Sequence, residues 1–180
     1  MTSGPDFREM LLRSPLLAEM DEACRQALAL RFEARPFSKE QVLLASGSGG
    51  RELLEVLAGT ADVHVIDGNH RFRVAILEPG SIVGELSFFD PNAPRSAEVT
   101  GTSEGIVAAL PHTAYLALAS EGHPAAAALE QAIMANTARR MRRTNQRLSL
   151  LLDAHRTGNL VDALGRIFGR ATPAPGVRDG

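Results

Sequence analysis

The hydrophobic positions of this chain follow two periods, and the change between them separates a helical start, a β-rich middle and a helical end. Apolar residues at helical spacing predict a helix over 7–12 and a second helix that Asp21 caps and that continues to about residue 30. From Arg31 onward, short runs of β-forming residues that glycine and proline interrupt are typical of an antiparallel β-roll. The predicted strands are Arg31–Ala34, Gln41–Leu44, Leu53–Leu57, Ala61–Ile66, Phe72–Ile76, Ala97–Thr100 and Gly105–Leu110.

Turn-forming residues lie between the predicted strands. Asp67-Gly68-Asn69 and Pro79-Gly80 supply the positive or fixed φ angles that tight turns require. Gly47-Ser48-Gly49-Gly50 is interpreted as a hairpin loop, because it lacks the G-x-G-x-x-G spacing and the strand-to-helix context of a dinucleotide-binding turn.

Helical patterning returns after the last strand. Pro111 and Pro124 each lie where a helix can begin, since proline is tolerated at the first helical position. They predict a short apolar helix over about 111–119 and a long helix from Pro124 to about Asp153. The predicted fold class is therefore α+β, a jelly-roll-like antiparallel β-roll with N-terminal helices and a long C-terminal helix. The expected organisation is residues 1–123 for the N-terminal helices and the roll, 124–153 for the long helix, 154–170 for a short helix and 171–180 for a disordered tail.

A heptad stripe runs along the predicted long helix. Its first seam position is occupied by Met134, Met141 and Leu148, and its second by Thr137, Thr144 and Leu151. This stripe predicts a parallel homodimer. Packing of the same helix on its own roll is a compatible alternative, because a roll covers only part of such a helix.

Composition bounds the class of protein. A chain of 180 residues with 44% hydrophobic content can bury the core of one domain, and a net charge of −2 gives no general attraction to nucleic acid. The sequence has no signal-peptide layout and no apolar run near the roughly 20 residues that span a bilayer, so a cytoplasmic protein without a membrane segment is expected. The single cysteine, Cys24, is expected to be a small buried hydrophobe.

Catalytic and metal-binding patterns are not apparent in the sequence. The five histidines are scattered without metal-ligand spacing, and no nucleophile elbow accompanies them. We therefore expect a protein that is not an enzyme and that holds no metal or cofactor.

The densest chemistry lies between Gly84 and Val99, which reads G-E-L-S-F-F-D-P-N-A-P-R-S-A-E-V. A carboxylate such as Glu85 can accept the 2′-hydroxyl of a ribose, the only ring hydroxyl left when a phosphate bridges the 3′ and 5′ positions. Ten residues on, Arg95 supplies a planar cation that fits two phosphate oxygens. Gly84 lets the backbone approach the sugar closely.

Backbone and hydroxyl donors complete this predicted cradle. Leu86-Ser87-Phe88 is expected to turn as a short helix whose N–H groups face the same anion. Ser96, at the start of the next strand, has a hydroxyl that can donate to the phosphate or to a base. The stretch therefore predicts a site for a cyclic nucleotide.

At these residues the chain resembles the cyclic-nucleotide-binding domain family, whose phosphate-binding cassette has the form G-E-L/I-A/S, a variable loop and R-S/A-A-x-V. Matching residues are Gly84, Glu85, Leu86, Ser87, Arg95, Ser96, Ala97 and Val99. On the roll, the resemblance implies a ligand-binding set of Val83, Gly84, Glu85, Leu86, Ser87, Arg95, Ser96 and Ala97. One departure is that Ala45–Leu57 carries glycine and arginine where family members usually show acidic and aromatic residues.

Within that family the chain is most similar to the sensor half of the bacterial catabolite-activator type of regulator. This similarity implies that Thr144 and Asn145 of the long helix contact the purine, with Asn145 in place of the serine commonly seen. It also implies that Arg140 pairs with Glu85 or lies near the phosphate. The surrounding basic cluster, Arg139, Arg140, Arg142, Arg143 and Arg147, is interpreted as a solvated flank of the seam, with polyanion binding as the alternative.

The resemblance also shapes the expected output. The catabolite-activator type continues into a helix-turn-helix domain, for which residues 154–180 leave too little room, so binding to DNA is not expected. An apolar face of Leu160, Val161, Leu164, Ile167 and Phe168 is expected to meet an unknown downstream protein. The predicted function is a stand-alone dimeric receptor for cAMP, with cGMP second. The alternative is an interaction scaffold on the same fold that binds no ligand or a cyclic dinucleotide.

Overall fold

Eight strands and five helices form the part of the chain that the computed structural model describes, which is residues 6–68 and 70–156, with side chains as far as 153. The helices are α1 (Phe7–Leu12), α2 (Glu22–Ala29), α3 (Glu85–Phe89), α4 (His112–Ser120) and α5 (Pro124–Arg156). The strands are β1 (Glu33–Phe37), β2 (Val42–Leu44), β3 (Glu52–Ala58), β4 (Ala61–Asp67), β5 (His70–Leu77), β6 (Ile82–Val83), β7 (Glu98–Gly101) and β8 (Gly105–Pro111).

The strands form two four-stranded antiparallel sheets. The first sheet has the order β1-β8-β3-β6 and the second has the order β2-β7-β4-β5. Because the chain crosses between the sheets repeatedly, the arrangement is a β-roll, and the predicted α+β class with flanking helices is confirmed.

Side chains of the first sheet alternate between two hydrophobic cores. Leu54 and Val56 of β3 point between the sheets, whereas Leu53 points to the other face, against the helices. The core between the sheets contains Phe37, Leu44, Leu54, Val56, Ala61, Leu77, Val83, Val99, Val107 and Ala109. The helix-facing core includes Leu11, Leu17, Cys24, Leu28, Leu53, Phe88, Leu110, Leu118 and Leu129. Cys24 is 1% exposed, which confirms the prediction of a small buried hydrophobe.

Each of the seven predicted strands is present, but the first is displaced. Arg31 donates its N–H to the Leu28 carbonyl in the turn that ends α2, so β1 begins only at Glu33. Pro36 lies within β1 and is tolerated because β1 is the edge strand of its sheet. The two-residue strand β6 was not predicted, because so short a segment has no readable periodicity.

The glycine-rich segment Ala45–Arg51 is not a hairpin loop, contrary to the prediction. It connects β2, in the second sheet, to β3, in the first sheet, and these two strands do not pair. Turn residues alone do not show whether the flanking strands pair with each other, since that depends on partners far away in the sequence.

The helices after the roll are close to their predicted bounds. Pro111 is the last residue of β8 and the N-cap of α4, not its first helical residue, whereas Pro124 does begin α5. The contacts divide the chain into two compact units between Met134 and Ala135, within α5. Of the predicted segments 154–170 and 171–180, the part from residue 157 onward lies outside the described residues. None of the helices in the described part is long and apolar enough to cross a bilayer.

A buried carboxylate lies on the helix-facing side of β3. Glu55 is 0% exposed, and its Oε1 accepts the backbone N–H of Leu16 at 3.2 Å. Burial raises the pKa of Glu55 to about 7, and the Leu16 N–H opposes this rise. This contact attaches the segment between α1 and α2 to the roll.

Candidate functional site

The predicted cassette begins at a sharp change of direction. Strand β6 leads directly into Gly84, which adopts a left-handed φ of 89° and serves as the N-cap of α3. A Cβ at Gly84 would lie 2.5 Å from the Glu52 carbonyl oxygen and 3.0 Å from Nη1 of Arg95. Glycine is therefore required here both by the backbone angle and by the close approach of two neighbours.

Helix α3 places its residues in different environments. Glu85 is 7% exposed, so the predicted ribose-binding carboxylate is buried. Ser87 is also buried and donates its hydroxyl to the Gly84 carbonyl at 3.2 Å, while Leu86 is 56% exposed. Phe88 anchors the helix in the helix-facing core. Gly84 offers no side chain to cap the first N–H groups of α3, which face outward from the helix start.

The backbone of Arg95 is fixed by the loop that joins the two sheets. Its N–H donates to the Ser48 carbonyl at 3.1 Å, and its carbonyl accepts the Gly47 N–H at 2.8 Å. A Cβ at Gly50 would lie 2.9 Å from Nη2 of Arg95. The glycines of this loop therefore allow a guanidinium to fold in close to the backbone.

The guanidinium of Arg95 is buried and only partly satisfied. The residue is 6% exposed, and Nη2 lies 3.6 Å from Oε1 of Glu52, which is an ion pair but longer than a hydrogen bond. Nη1 is buried and has no hydrogen-bond partner among the described residues. Burial lowers the pKa of Arg95, Glu52 raises it and Arg35 lowers it again, yet an arginine remains charged at neutral pH.

Glu52 is held mainly by another arginine. Both of its carboxylate oxygens accept from Arg35, at 3.0 Å and 2.9 Å, and this bidentate pairing raises the pKa of Arg35. The sequence analysis missed both residues. A signal was available, because Arg35 lies two positions before inward-facing Phe37 and Glu52 two positions before inward-facing Leu54, so both charges fall on the inner face of the roll.

A third arginine, Arg51, holds the cassette helix in place. Nη2 of Arg51 lies 2.9 Å from the Phe88 carbonyl oxygen and 2.8 Å from Nε2 of His112 on α4. The ring of Phe88 also packs edge-on against His112, with centroids 5.1 Å apart. Burial lowers the pKa of His112, and the adjacent Arg51 lowers it further, which favours the neutral ring whose unprotonated nitrogen can accept from Arg51. Arg51 thereby links β3, α3 and α4.

The link continues to the start of α5. Tyr115 packs beside Phe88, with centroids 5.4 Å apart, and donates its hydroxyl to the carboxylate of Glu130. This hydrogen bond, with burial, raises the pKa of Tyr115 to about 12. The cassette helix and the first turns of α5 are therefore joined by side chains within one compact unit.

The remaining predicted site residues have diverse surroundings. Val83 is buried in the core between the sheets, Ser96 is exposed and Ala97 is half-buried ahead of β7. Arg140, Thr144 and Asn145 lie on the part of α5 that belongs to the second compact unit, and their side chains are exposed. Their contact with a ligand stays a prediction.

The donor set matches a hydroxylated anion better than a metal ion. The buried residue Glu85 follows Gly84 at the start of α3, and the buried guanidinium of Arg95 approaches Gly84. Among the described residues no group of three His, Cys, Asp or Glu side chains could hold a metal ion. A phosphate oxygen is the acceptor that an unsatisfied, buried guanidinium N–H fits.

Comparison with known proteins agrees with this geometry. The model of the cyclic nucleotide-binding domain family matches residues 34–121. The chain is similar to the CRP-like cAMP-activated global transcriptional regulator of Mycobacterium tuberculosis, with 25% identity over 146 residues, which are 80% of this chain and 62% of that protein. It therefore spans less than two thirds of the length of the curated relatives that it matches.

Two solved structures are similar as well. The N-terminal domain of a transcriptional regulator from Streptomyces coelicolor A3(2) is 30% identical, with a TM-score of 0.61, and the match covers 76% of this chain and 95% of that one. A cyclic nucleotide-binding domain from Methylobacillus flagellatus has a TM-score of 0.70 at 18% identity, over 94% of this chain and 86% of that one, a likeness that shows the fold alone.

Proposed function

Because the chain belongs to the cyclic nucleotide-binding domain family, we propose that it is a receptor for a cyclic mononucleotide, cAMP in the first place and cGMP in the second. The observation that carries this proposal is the buried guanidinium of Arg95, whose Nη1 has no partner among the described residues. Burying a cation with incomplete hydrogen bonding costs free energy, which an anionic ligand offsets. The M. tuberculosis relative, which is cAMP-activated by name, favours cAMP.

Each site residue would contact a different chemical group of the ligand. Arg95 binds the phosphate oxygens through Nη1, which lies 3.0 Å from the position that a Cβ of Gly84 would occupy. Glu85, buried at the start of α3, accepts the ribose 2′-hydroxyl, and the first N–H groups of α3 point toward the phosphate. Ser87 supports this arrangement from within the helix, since its hydroxyl is bonded to the Gly84 carbonyl.

We further propose that the protein is a homodimer through α5. The seam residues Met134, Met141 and Leu148 are 66%, 62% and 53% exposed, which is unusual for large apolar side chains repeated at heptad spacing. In such a dimer Thr144 and Asn145 would contact the purine, and Arg140 would approach the phosphate or Glu85. A cyclic dinucleotide would instead engage the basic cluster of α5.

The output would be a protein contact made by the segment that follows α5. A ligand shifts a conformational equilibrium only by its differential affinity for two states, and the cassette and α5 are the parts that it would bridge. Hydrogen exchange in residues 154–170 is therefore expected to change at saturating cAMP. Exchange that ignores the ligand, or a shift of duplex DNA at physiological salt, would contradict this output.

Calorimetry with cAMP, cGMP and cyclic dinucleotides tests the receptor proposal. We expect one cAMP per subunit, and we expect Arg95→Ala to weaken it by roughly thirty-fold to several thousand-fold, because removing one partner of a buried charge pair costs about 2–5 kcal/mol. The matched control is Arg13→Ala, whose side chain is 79% exposed and pairs only with Glu9 in the described structure. Equal affinity of the Arg95→Ala and wild-type proteins would refute the site. The scaffold alternative requires that neither cAMP nor cGMP binds, and it allows either no ligand or a cyclic dinucleotide.

A further inference from the structure

Three charged side chains lie in a row beside the cassette. Glu52 lies between Arg35, on the first strand of the roll, and Arg95, in the loop before β7. Arg35 is on β1 and Glu52 on β3, which flank β8 in the first sheet. The row carries two positive charges and one negative charge, so its net charge is positive.

The two arginines do not share Glu52 equally. Arg35 donates to both carboxylate oxygens, at 3.0 Å and 2.9 Å, whereas Nη2 of Arg95 lies 3.6 Å from the nearer oxygen. A bidentate pair is the favoured geometry between a guanidinium and a carboxylate. Glu52 is therefore engaged by Arg35, and only a longer-range attraction reaches Arg95.

Removing Arg35 would change the partner of Glu52. The carboxylate is only partly exposed and would need a new cation, and Arg95 is already 3.6 Å away. A small movement would give a direct Glu52–Arg95 pair, which would compete with any phosphate for the same guanidinium.

We propose that Arg35 is a positioning residue of the nucleotide site, which engages Glu52 and so keeps Arg95 available to the ligand phosphate. This inference rests on the proposed function. It assigns a role in affinity to a residue that is sixty positions before Arg95 in the chain and that needs no contact with the ligand.

The test is calorimetric titration of the full chain with cAMP. Arg35→Ala is expected to weaken binding about tenfold or more, which corresponds to the loss of about one charge-assisted hydrogen bond at Arg95. Glu52→Gln removes the competing charge and should bind at least as tightly as the wild type. The double variant Arg35→Ala/Glu52→Gln should recover to within about threefold of Glu52→Gln.

A matched control comes from the other sheet. Arg73 on β5 also forms a cross-strand ion pair, with Asp62 on β4 at 3.5 Å, and neither residue belongs to the stretch from Gly84 to Val99. Arg73→Ala should leave the affinity unchanged, so a loss confined to Arg35→Ala is not a general effect of breaking a cross-strand ion pair.

The outcomes separate the inference from the proposed function. If the wild type binds cAMP and Arg35→Ala binds equally well, Arg35 is not a positioning residue. If Arg35→Ala is weak and the double variant remains as weak, Arg35 acts by direct contact or by folding, and the inference is overturned.

A measurement without ligand tests the inference even if no nucleotide binds. Urea midpoints of Glu52 and Arg95 variants give the coupling between these two residues by a double-mutant cycle. The coupling should be larger in the Arg35→Ala background than in the wild type, because Glu52 then pairs directly with Arg95. An unchanged coupling would overturn the inference independently of the receptor proposal.

Discussion

Glu55 provides a stability test that is independent of any ligand. It is fully buried on β3, its Oε1 accepts the Leu16 N–H, and burial raises its pKa from 4.5 to about 7. Because the folded-state pKa lies above the unfolded one, the folded protein binds the extra proton between these two values. Stability contributed by this group is therefore fully present below about pH 4.5 and is lost as the pH rises through about 7.

The size of the effect follows from the same two values. At about 1.4 kcal/mol for each pKa unit, the difference corresponds to roughly 3 kcal/mol between the two limits of pH, of which roughly 2–3 kcal/mol falls between pH 5 and pH 8. Glu55→Gln replaces the carboxyl by a neutral group of the same shape. The variant should gain stability relative to the wild type by that amount over this interval, whatever constant offset the amide introduces.

Urea denaturation of both proteins at pH 5, 6, 7 and 8 measures this difference. Glu104→Gln, at an exposed carboxylate on the turn before β8, is the matched control for the substitution itself. A Glu55→Gln difference that does not change with pH would show that the folded-state pKa of Glu55 is not raised, and the argument from burial would be refuted.

Three further predictions concern the seam, the cassette turn and the cassette helix. Met141→Arg places like charges at the centre of the seam and should give monomers in light scattering. The control Gln146→Arg lies on the outer face of the helix and should leave the dimer intact. If Met141→Arg is still a dimer at micromolar concentration, α5 is not the interface. Gly84→Ala should lower cAMP affinity, and it should lower stability by about 1–3 kcal/mol because the residue is in a strained left-handed conformation. Its loss of stability should exceed that of Gly122→Ala, since Gly122 also has a positive φ but has open space where a Cβ would lie. Equal losses of stability in the two variants would contradict the close approach at Gly84. Arg51→Ala removes the hydrogen bond to the Phe88 carbonyl in the last turn of α3 and should lower stability by about 1–2 kcal/mol. It should also speed hydrogen exchange of the α3 amides. Unchanged exchange would show that aromatic packing alone holds this helix.

The local sequence determined the cassette and most elements of the roll. The order from Gly84 to Val99 predicted a short helix and a strand start, and the structure has α3 over Glu85–Phe89, which follows Gly84 at a positive φ, and β7 from Glu98. Such features are readable because they depend on neighbours in the chain: a glycine that permits the angle, helix formers after it and β-formers beyond the loop. The same applies to α5, whose first residue and near-continuous helical composition were visible in the sequence.

Only the tertiary structure decided which charges meet. Strand pairing between β1, β8 and β3 places Arg35 against Glu52. The loop that joins the two sheets and holds the Arg95 backbone was predicted as a hairpin, because its glycines do not reveal where the flanking strands pair. Periodicity shows that a residue faces inward but not which residue faces it from another strand. Glu55 illustrates the same limit, since its burial depends on the segment around Leu16, which the chain brings there from thirty-nine residues away. The proposed binding groups are thus a local property of this sequence, whereas the charge balance around them is a property of long-range strand pairing.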